Sequence, residues 1–220
     1  MKNIILNQDG KQFEFTVGKI VCVGRNYVAH AEELGNEVPE FPLIFLKPPS
    51  NLIFSGDKLV HPDYSDEMHH EVELVLLIGE TIKNADDKTA EKAIAGYAVG
   101  LDMTLRDIQT ELKKKGHPWT LAKCFDGAAA VSDFVSSKNY EFRGNEKISL
   151  KVDGEIRQNS TLDKMIFPPV EIVKYLSSKM KLESGDLIYT GTPKGVSKVV
   201  RLNKLFADIE NIGKLEVEII

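Results

Sequence analysis

The sequence predicts an α+β domain that is mainly β. Three observations carry this expectation. Short runs of strand character outnumber helical ones, most of them are joined by turns, and the strongest, 71–78, is apolar on both faces as a buried strand is. Regular strand–helix alternation, the mark of a doubly wound parallel sheet, is absent.

The elements follow in order. Runs at 3–7 and 11–17, separated by Gln8-Asp9-Gly10, predict a small hairpin. Residues 20–23 read as a buried strand, 28–34 as a short helix ending at Gly35, and 36–42 as a polar loop. Leu43 to Leu46 is a short strand that Pro48-Pro49 closes. Residues 71–78 form the strongest strand, 88–94 a short helix and 95–101 a small-residue strand. A helical pattern at 103–115 stops at Gly116 and Pro118. Strands are expected at 129–135 and 147–153, with Asp153-Gly154 turning into 155–158. Residues 169–179 are helical, and strands follow at 187–190 and 214–220.

A chain of 220 residues suits one catalytic domain, 1–220, whose first 18 residues form a small hairpin extension. The net charge of −5 and the scattered Lys and Arg residues argue against a nucleic-acid partner. No apolar run approaches the roughly 20 residues of a membrane span, and the N-terminal apolar stretch is too short for a signal peptide. The expected compartment is cytoplasmic. Cys22, inside an apolar run, reads as a buried reduced thiol, and Cys124 has no neighbouring His to make it a nucleophile.

The chemistry centres on Glu71-Val72-Glu73. In a strand, alternate side chains share a face, so Glu71 and Glu73 point the same way while Val75 and Leu77 continue that face. Val72, Leu74, Leu76 and Ile78 fill the other face. Two carboxylates entering a strand that is apolar on both faces are costly unless paired or bound to a cation. They could equally sit at the solvent end of the strand or pair with Lys and Arg. Asp102 closes the next strand, where an ordinary helix N-cap is an equal reading. Arg106 and Gln109 would share one helix face. Three carboxylates make an all-oxygen donor set, which suits Mg²⁺, Mn²⁺ or Ca²⁺. His69 and His70 are not expected as ligands. His30 and Glu33, three residues apart, could meet as a water-activating pair or as a solvated surface pair. Gly191-Thr192-Pro193-Lys194-Gly195 could hold an anion on its backbone N–H groups, but it lacks the P-loop spacing. A carboxylate-pair glycosidase fits poorly, because same-strand carboxylates converge on one point instead of flanking a bond.

Several segments occur in a telling order: Gly24-Arg25-Asn26-Tyr27-Val28-Ala29-His30 with Glu33, Phe45-Leu46-Lys47-Pro48-Pro49-Ser50, and His70-Glu71-Val72-Glu73-Leu74. Then come Leu101-Asp102-Met103-Thr104 with Arg106-Asp107 and Gln109, Trp119-Thr120-Leu121-Ala122-Lys123, and Thr190-Gly191-Thr192-Pro193-Lys194-Gly195-Val196. Together they resemble the fumarylacetoacetate hydrolase family, in its single-domain acylpyruvase and oxaloacetate decarboxylase branch. Arg157-Gln158 also matches the family pattern, with no role attached.

The resemblance implies a mixed β-sandwich roll with short helices, usually a homodimer. It implies Mg²⁺ or Mn²⁺ on Glu71, Glu73 and Asp102, with Ca²⁺ as a crystallisation substitute. His30 and Glu33 would act from a lid, and Lys123 would stand in the catalytic site. Arg25, Lys47, Arg106, Gln109 and Thr192 would face the substrate. The implied activity is metal-dependent C–C bond cleavage of small 2-oxo acids through a pyruvate enolate, as an acylpyruvate hydrolase, an oxaloacetate decarboxylase, or both. Oxaloacetate keto–enol tautomerisation, or isomerase or decarboxylase work on an aromatic-degradation 2-oxo acid, are the alternatives. A metal- or anion-binding module is the non-enzymatic one.

Overall fold

Strand alternation organises the centre of the molecule. In the computed structural model, which describes residues 1–220, every residue of the strand Val72–Ile78 is buried. Val72, Leu74, Leu76 and Ile78 join one apolar cluster, whereas Val75 and Leu77 join another. The two faces of this strand therefore serve two cores, as the period of two requires.

Val72–Ile78 lies inside a ten-stranded mixed sheet. On one side it pairs antiparallel with Ile94–Asp102, which leads through Val135–Ser136 to the N-terminal hairpin of Asn3–Gln8 and Lys11–Thr16. On the other it pairs with Leu187–Tyr189, then Ile20–Gly24, then the edge strand Leu43–Lys47. Ala129–Val131 bridges Ile94–Asp102 and Leu52–Phe54. The smaller core draws Ile4 and Leu6 from near one end of this order and Ile20 and Cys22 from near the other, so the sheet curls around it. The larger core lies on the opposite face. It is covered by a five-stranded sheet containing Lys147–Val152, Lys204–Ile209 and Gly213–Ile219, and by the helices Asp87–Ala93 and Pro169–Lys179. Those helices contribute Ala90, Ala93, Ile172, Val173 and Leu176, spaced as one apolar helix face should be.

The structure departs from the sequence expectation at several places. The helix expected at 103–115 begins at Arg106, because Thr104–Leu105 pairs with Met68–His69 as a short strand. Asp102 consequently ends a strand and caps no helix. The first turn is held instead by Asp107, whose carboxylate accepts from the Ile108 amide. The expected strand 129–135 is two strands, Ala129–Val131 and Val135–Ser136. Between them the Ser132 amide donates to Val99 and its hydroxyl accepts from the Val99 amide, which bends the chain away from the ladder. Glu155–Thr161 runs three residues beyond the expected end. Leu52–Phe54, Lys58–Leu59 and Met68–His69 are too short to carry a period. Lys204–Ile209 alternates Leu205, Ala207 and Ile209, a pattern that Phe206 and the small Ala207 blur.

Candidate active site

Glu71 immediately precedes the central strand and Glu73 lies within it, while Asp102 ends the neighbouring strand. The Asp102 amide donates to the Glu71 carbonyl at 2.9 Å, and Glu73 is in register with Gly100. Strand alternation and this register bring all three carboxylates to one place. Their nearest ligand atoms lie within 4.8 Å of one another, and all three residues are buried. Ligands across an octahedral Mg²⁺ stand roughly 4 Å apart, so the spacing matches a small divalent cation.

Three cations surround the triad. The Lys123 ammonium donates to Glu71 Oε2 at 2.9 Å, Asp102 Oδ2 at 2.9 Å and Thr104 Oγ1 at 2.5 Å. Its three hydrogens are thereby used in this arrangement. Burial would lower the Lys123 ammonium, but Asp102 and Glu71 outweigh it and hold the group above its ordinary value. Arg106 pairs with Glu71 Oε1 and donates to Gln109 Oε1 at 2.6 Å. Lys47 Nζ lies 2.7 Å from Asp102 Oδ1 but directs its hydrogen bonds to the carbonyls of Met103 and Ala128. Asp102 Oδ1 thus has an ammonium at ion-pair distance but no well-aligned hydrogen bond.

The electrostatics fit a metal here. Burial alone would raise the Glu71 carboxyl, but Lys123 and Arg106 hold it well below the ordinary carboxylate range. Glu73 is pushed well above that range, first by burial and then by the Asp102 and Glu71 charges. Its one backbone donor, the Gly191 amide at 2.7 Å, does not offset them. A divalent cation would supply the charge that Glu73 lacks. The donor set is entirely oxygen. Neither His69 nor His70 belongs to it: His69 faces Glu67, and His70 lies between Gln158 and Ser197.

The helix Val28–Glu33 contributes His30 to the wall of this site. His30 is buried and faces the cavity, with Nδ1 3.4 Å from Glu33 Oε2. Glu33 also accepts from the Gly195 amide at 3.0 Å, so one carboxylate holds the imidazole and fastens the helix to the turn beyond Thr192. Burial pushes His30 below its ordinary value, against Glu71 and Glu33, which favour the charged ring. The ring is therefore neutral at neutral pH, as a base must be.

The triad, His30, Lys123, Arg25, Arg106, Gln109 and Thr192 line a common cavity of about 40 Å³. Arg25 reaches it from a backbone of φ +58°, an uncommon conformation for a residue with a side chain. One expected substrate contact needs correction. Lys47 is 1% exposed and does not reach the cavity wall, because the Asp102 carboxylate and two carbonyls engage it from behind the triad. Arg106 does line the wall: it donates to Glu71 and Gln109, and its buried Nε has no protein partner. The structure adds Phe45, Trp119 and Lys113 to the wall. Phe45 and Trp119 meet at 5.9 Å between ring centroids, and the Lys123 ammonium lies 4.8 Å from the centre of the Phe45 ring. Lys113 was recoverable from sequence, since Arg106, Gln109 and Lys113 follow the i, i+3, i+7 stripe of one helix face.

Fold and site define a class: a curled β protein with a buried carboxylate triad, fenced by cations and faced by a buried histidine from a short helix. A family model described as fumarylacetoacetate (FAA) hydrolase C-terminal matches residues 19–220. The chain belongs to the fumarylacetoacetate hydrolase family. It is 44% identical over 201 residues to a mitochondrial oxaloacetate tautomerase of Arabidopsis thaliana, covering 91% of this chain and 90% of that one. It is also 44% identical over 189 residues to a mitochondrial oxaloacetate decarboxylase of Dictyostelium discoideum, covering 86% and 87%. A crystal structure of fumarylpyruvate hydrolase from Pseudomonas aeruginosa with Mn²⁺ and pyruvate superposes with a TM-score of 0.93 at 38% identity, covering 99% of this chain and 96% of that one.

Proposed function

We propose that this chain acts on small 2-oxo acids with a divalent cation held by Glu71, Glu73 and Asp102, cleaving the C3–C4 bond of an acylpyruvate or releasing CO₂ from oxaloacetate. The observation that carries this reading is the buried triad whose Glu73 lacks a cationic partner, inside a small cavity lined by further cations. When bound, the cation supplies Lewis acidity at the keto oxygen. The names of the relatives, tautomerase, decarboxylase and hydrolase, share that chemistry.

The chain's own residues do the rest. Arg25 and Lys113 present positive charge to the substrate carboxylate. Lys123 places a fixed charge beside the three-carbon fragment on which negative charge collects. In hydrolysis, His30 takes a proton from water, and the resulting hydroxyl attacks the C4 carbonyl. The C3–C4 electron pair passes to the three-carbon fragment, which is then protonated at C3. Glu33 orients the imidazole and stabilises it once charged. Decarboxylation uses the same charge stabilisation with no attacking water. Tautomerisation needs only proton transfer at C3, which His30 can also serve.

Mg²⁺ is the favoured ion, because three carboxylates offer hard oxygen ligands and no nitrogen or sulfur. Our reading also keeps a homodimer, supported by the exposed Phe41, Leu46 and Leu121 beside the open edge strand Leu43–Lys47. It keeps a cytoplasmic location, a reducing compartment in which the Cys22 and Cys124 thiols stay unpaired. The test is turnover of oxaloacetate and an acylpyruvate by protein stripped with a chelator, before and after adding Mg²⁺ or Mn²⁺. Turnover restored by the metal is expected. No turnover of either acid with either metal would overturn the reading and leave a binding module.

A further inference from the structure

Gln158 belongs to the five-stranded sheet, in the strand Glu155–Thr161, and is fully buried beneath the active site. Its amide makes four hydrogen bonds, the most that an uncharged side-chain amide ordinarily satisfies. Oε1 accepts from the Val72 amide at 3.0 Å and faces His70 Nδ1 at 3.0 Å. Nε2 donates to the Pro193 carbonyl at 2.8 Å and to Thr192 Oγ1 at 2.7 Å.

The partners fix the orientation. A carbonyl can only accept and a backbone amide can only donate, so the nitrogen must face Pro193 and the oxygen Val72. Thr192 Oγ1 therefore receives a hydrogen from Gln158. Its own hydrogen goes to no protein acceptor, and Thr192 lines the cavity. The Val72 amide lies between Glu71 and Glu73 in the chain. One side chain thus ties the backbone of the carboxylate strand to the turn that carries Thr192. The attachment is close: a Cβ on Gly195 would stand 2.1 Å from the Arg157 carbonyl, so this turn sits directly on the strand holding Gln158.

We propose that Gln158 is a positioning residue that makes Thr192 a hydrogen-bond donor aimed at the oxygens of a bound 2-oxo acid. The proposal rests on the function given above, and its test separates the two. Pyruvate binding to the Mn²⁺-loaded protein is measured by calorimetry in wild type, Gln158→Met, Thr192→Val and the double variant. Turnover of oxaloacetate and the melting temperature are followed in parallel.

Losing one hydrogen bond to a charged ligand should weaken pyruvate roughly 10-fold or more in Thr192→Val and in Gln158→Met. In the Thr192→Val background, Gln158→Met should add less than about 2-fold, because the hydroxyl it aims is already gone. In Gln158→Met, KM for oxaloacetate should rise by more than kcat falls. Gln158→Glu covers the case in which Gln158→Met does not fold. It keeps an acceptor for Val72 and His70 but turns the donor end into a second acceptor, toward which the Thr192 hydroxyl would rotate. Pyruvate affinity should fall at least 10-fold in that folded variant. Equal losses from Gln158→Met in both backgrounds, or unchanged pyruvate affinity in folded Gln158→Glu, would overturn the proposal. An intact coupling without oxaloacetate turnover would count against the functional reading alone.

Discussion

At the scale of single residues, Lys123 has all three hydrogens engaged, whereas His30 is buried, neutral and loosely held by Glu33. His30→Ala should therefore slow acylpyruvate hydrolysis by roughly 10²–10⁴-fold. Oxaloacetate decarboxylation should lose less, because no water has to be activated. Glu33→Ala should follow the same pattern. Steady-state rates on both substrates at saturating Mg²⁺ check this, and equal fractional losses would make the pair a latch. The pH sign follows from the neutral ring. Burial lowers the value of His30, so hydrolysis should hold through neutral pH and fall only on the acid side, below about 6.5, as the ring protonates. The Glu71 and Glu73 face was legible because period-two alternation is local information. Lys47 was not: a Lys beside two prolines gives no sign that its ammonium will meet Asp102 and the carbonyl of Ala128. Gln158 stood out only as part of the family pattern, and its role was hidden for the same reason, since its partners stand 86 and 34 residues away.

At the scale of elements, short strands and tight turns aim the site, and a few side chains hold them. Asp107 is the clearest case. Its carboxylate accepts from the Ser65 hydroxyl at 2.7 Å, the Asp66 amide at 3.0 Å and the Ile108 amide at 2.8 Å, fastening the helix that carries Arg106, Gln109 and Lys113 to the preceding loop. Burial opposes ionisation, but these donors outweigh it and hold Asp107 below the usual carboxylate value. The folded value is the lower one, so the stabilisation is complete above the unfolded value of roughly 3.9 and is lost as pH falls through the folded one. Asp107→Ala should cost about 1–3 kcal/mol near neutral pH and progressively less in acid. Urea unfolding at several pH values reads this directly; a pH-independent difference would contradict it. The helix itself was legible from its stripe, but its start was not. The Thr104–Leu105 pairing with Met68–His69 is set by tertiary contact, which overrides a continuous helical pattern.

At the scale of the whole molecule, two cores on opposite faces of one curled sheet fix the depth at which the triad sits. The ten-stranded sheet supplies Glu71, Glu73 and Asp102, the five-stranded sheet supplies Gln158 beneath them, and the helix Val28–Glu33 adds His30 to the cavity wall. The mainly β character followed from many short strand runs, and the order of motifs carried the family. Sheet order and curl were not legible, because they depend on pairings such as Leu187 with Ile20 and Ala129 with Leu52 that no local pattern encodes. Lys123, Arg106 and Lys47 pair with Glu71 and Asp102 but leave Glu73 without a cationic partner, and a divalent ion would complete the triad. Titration calorimetry of Mn²⁺ into the metal-free protein and into Glu73→Ala tests it most directly. One high-affinity ion per chain is expected in the wild type. In the folded variant the expected loss is above the roughly 100-fold that removing an outer-shell partner can cause. Equal Mn²⁺ affinity in the two proteins would contradict a metal-bound triad.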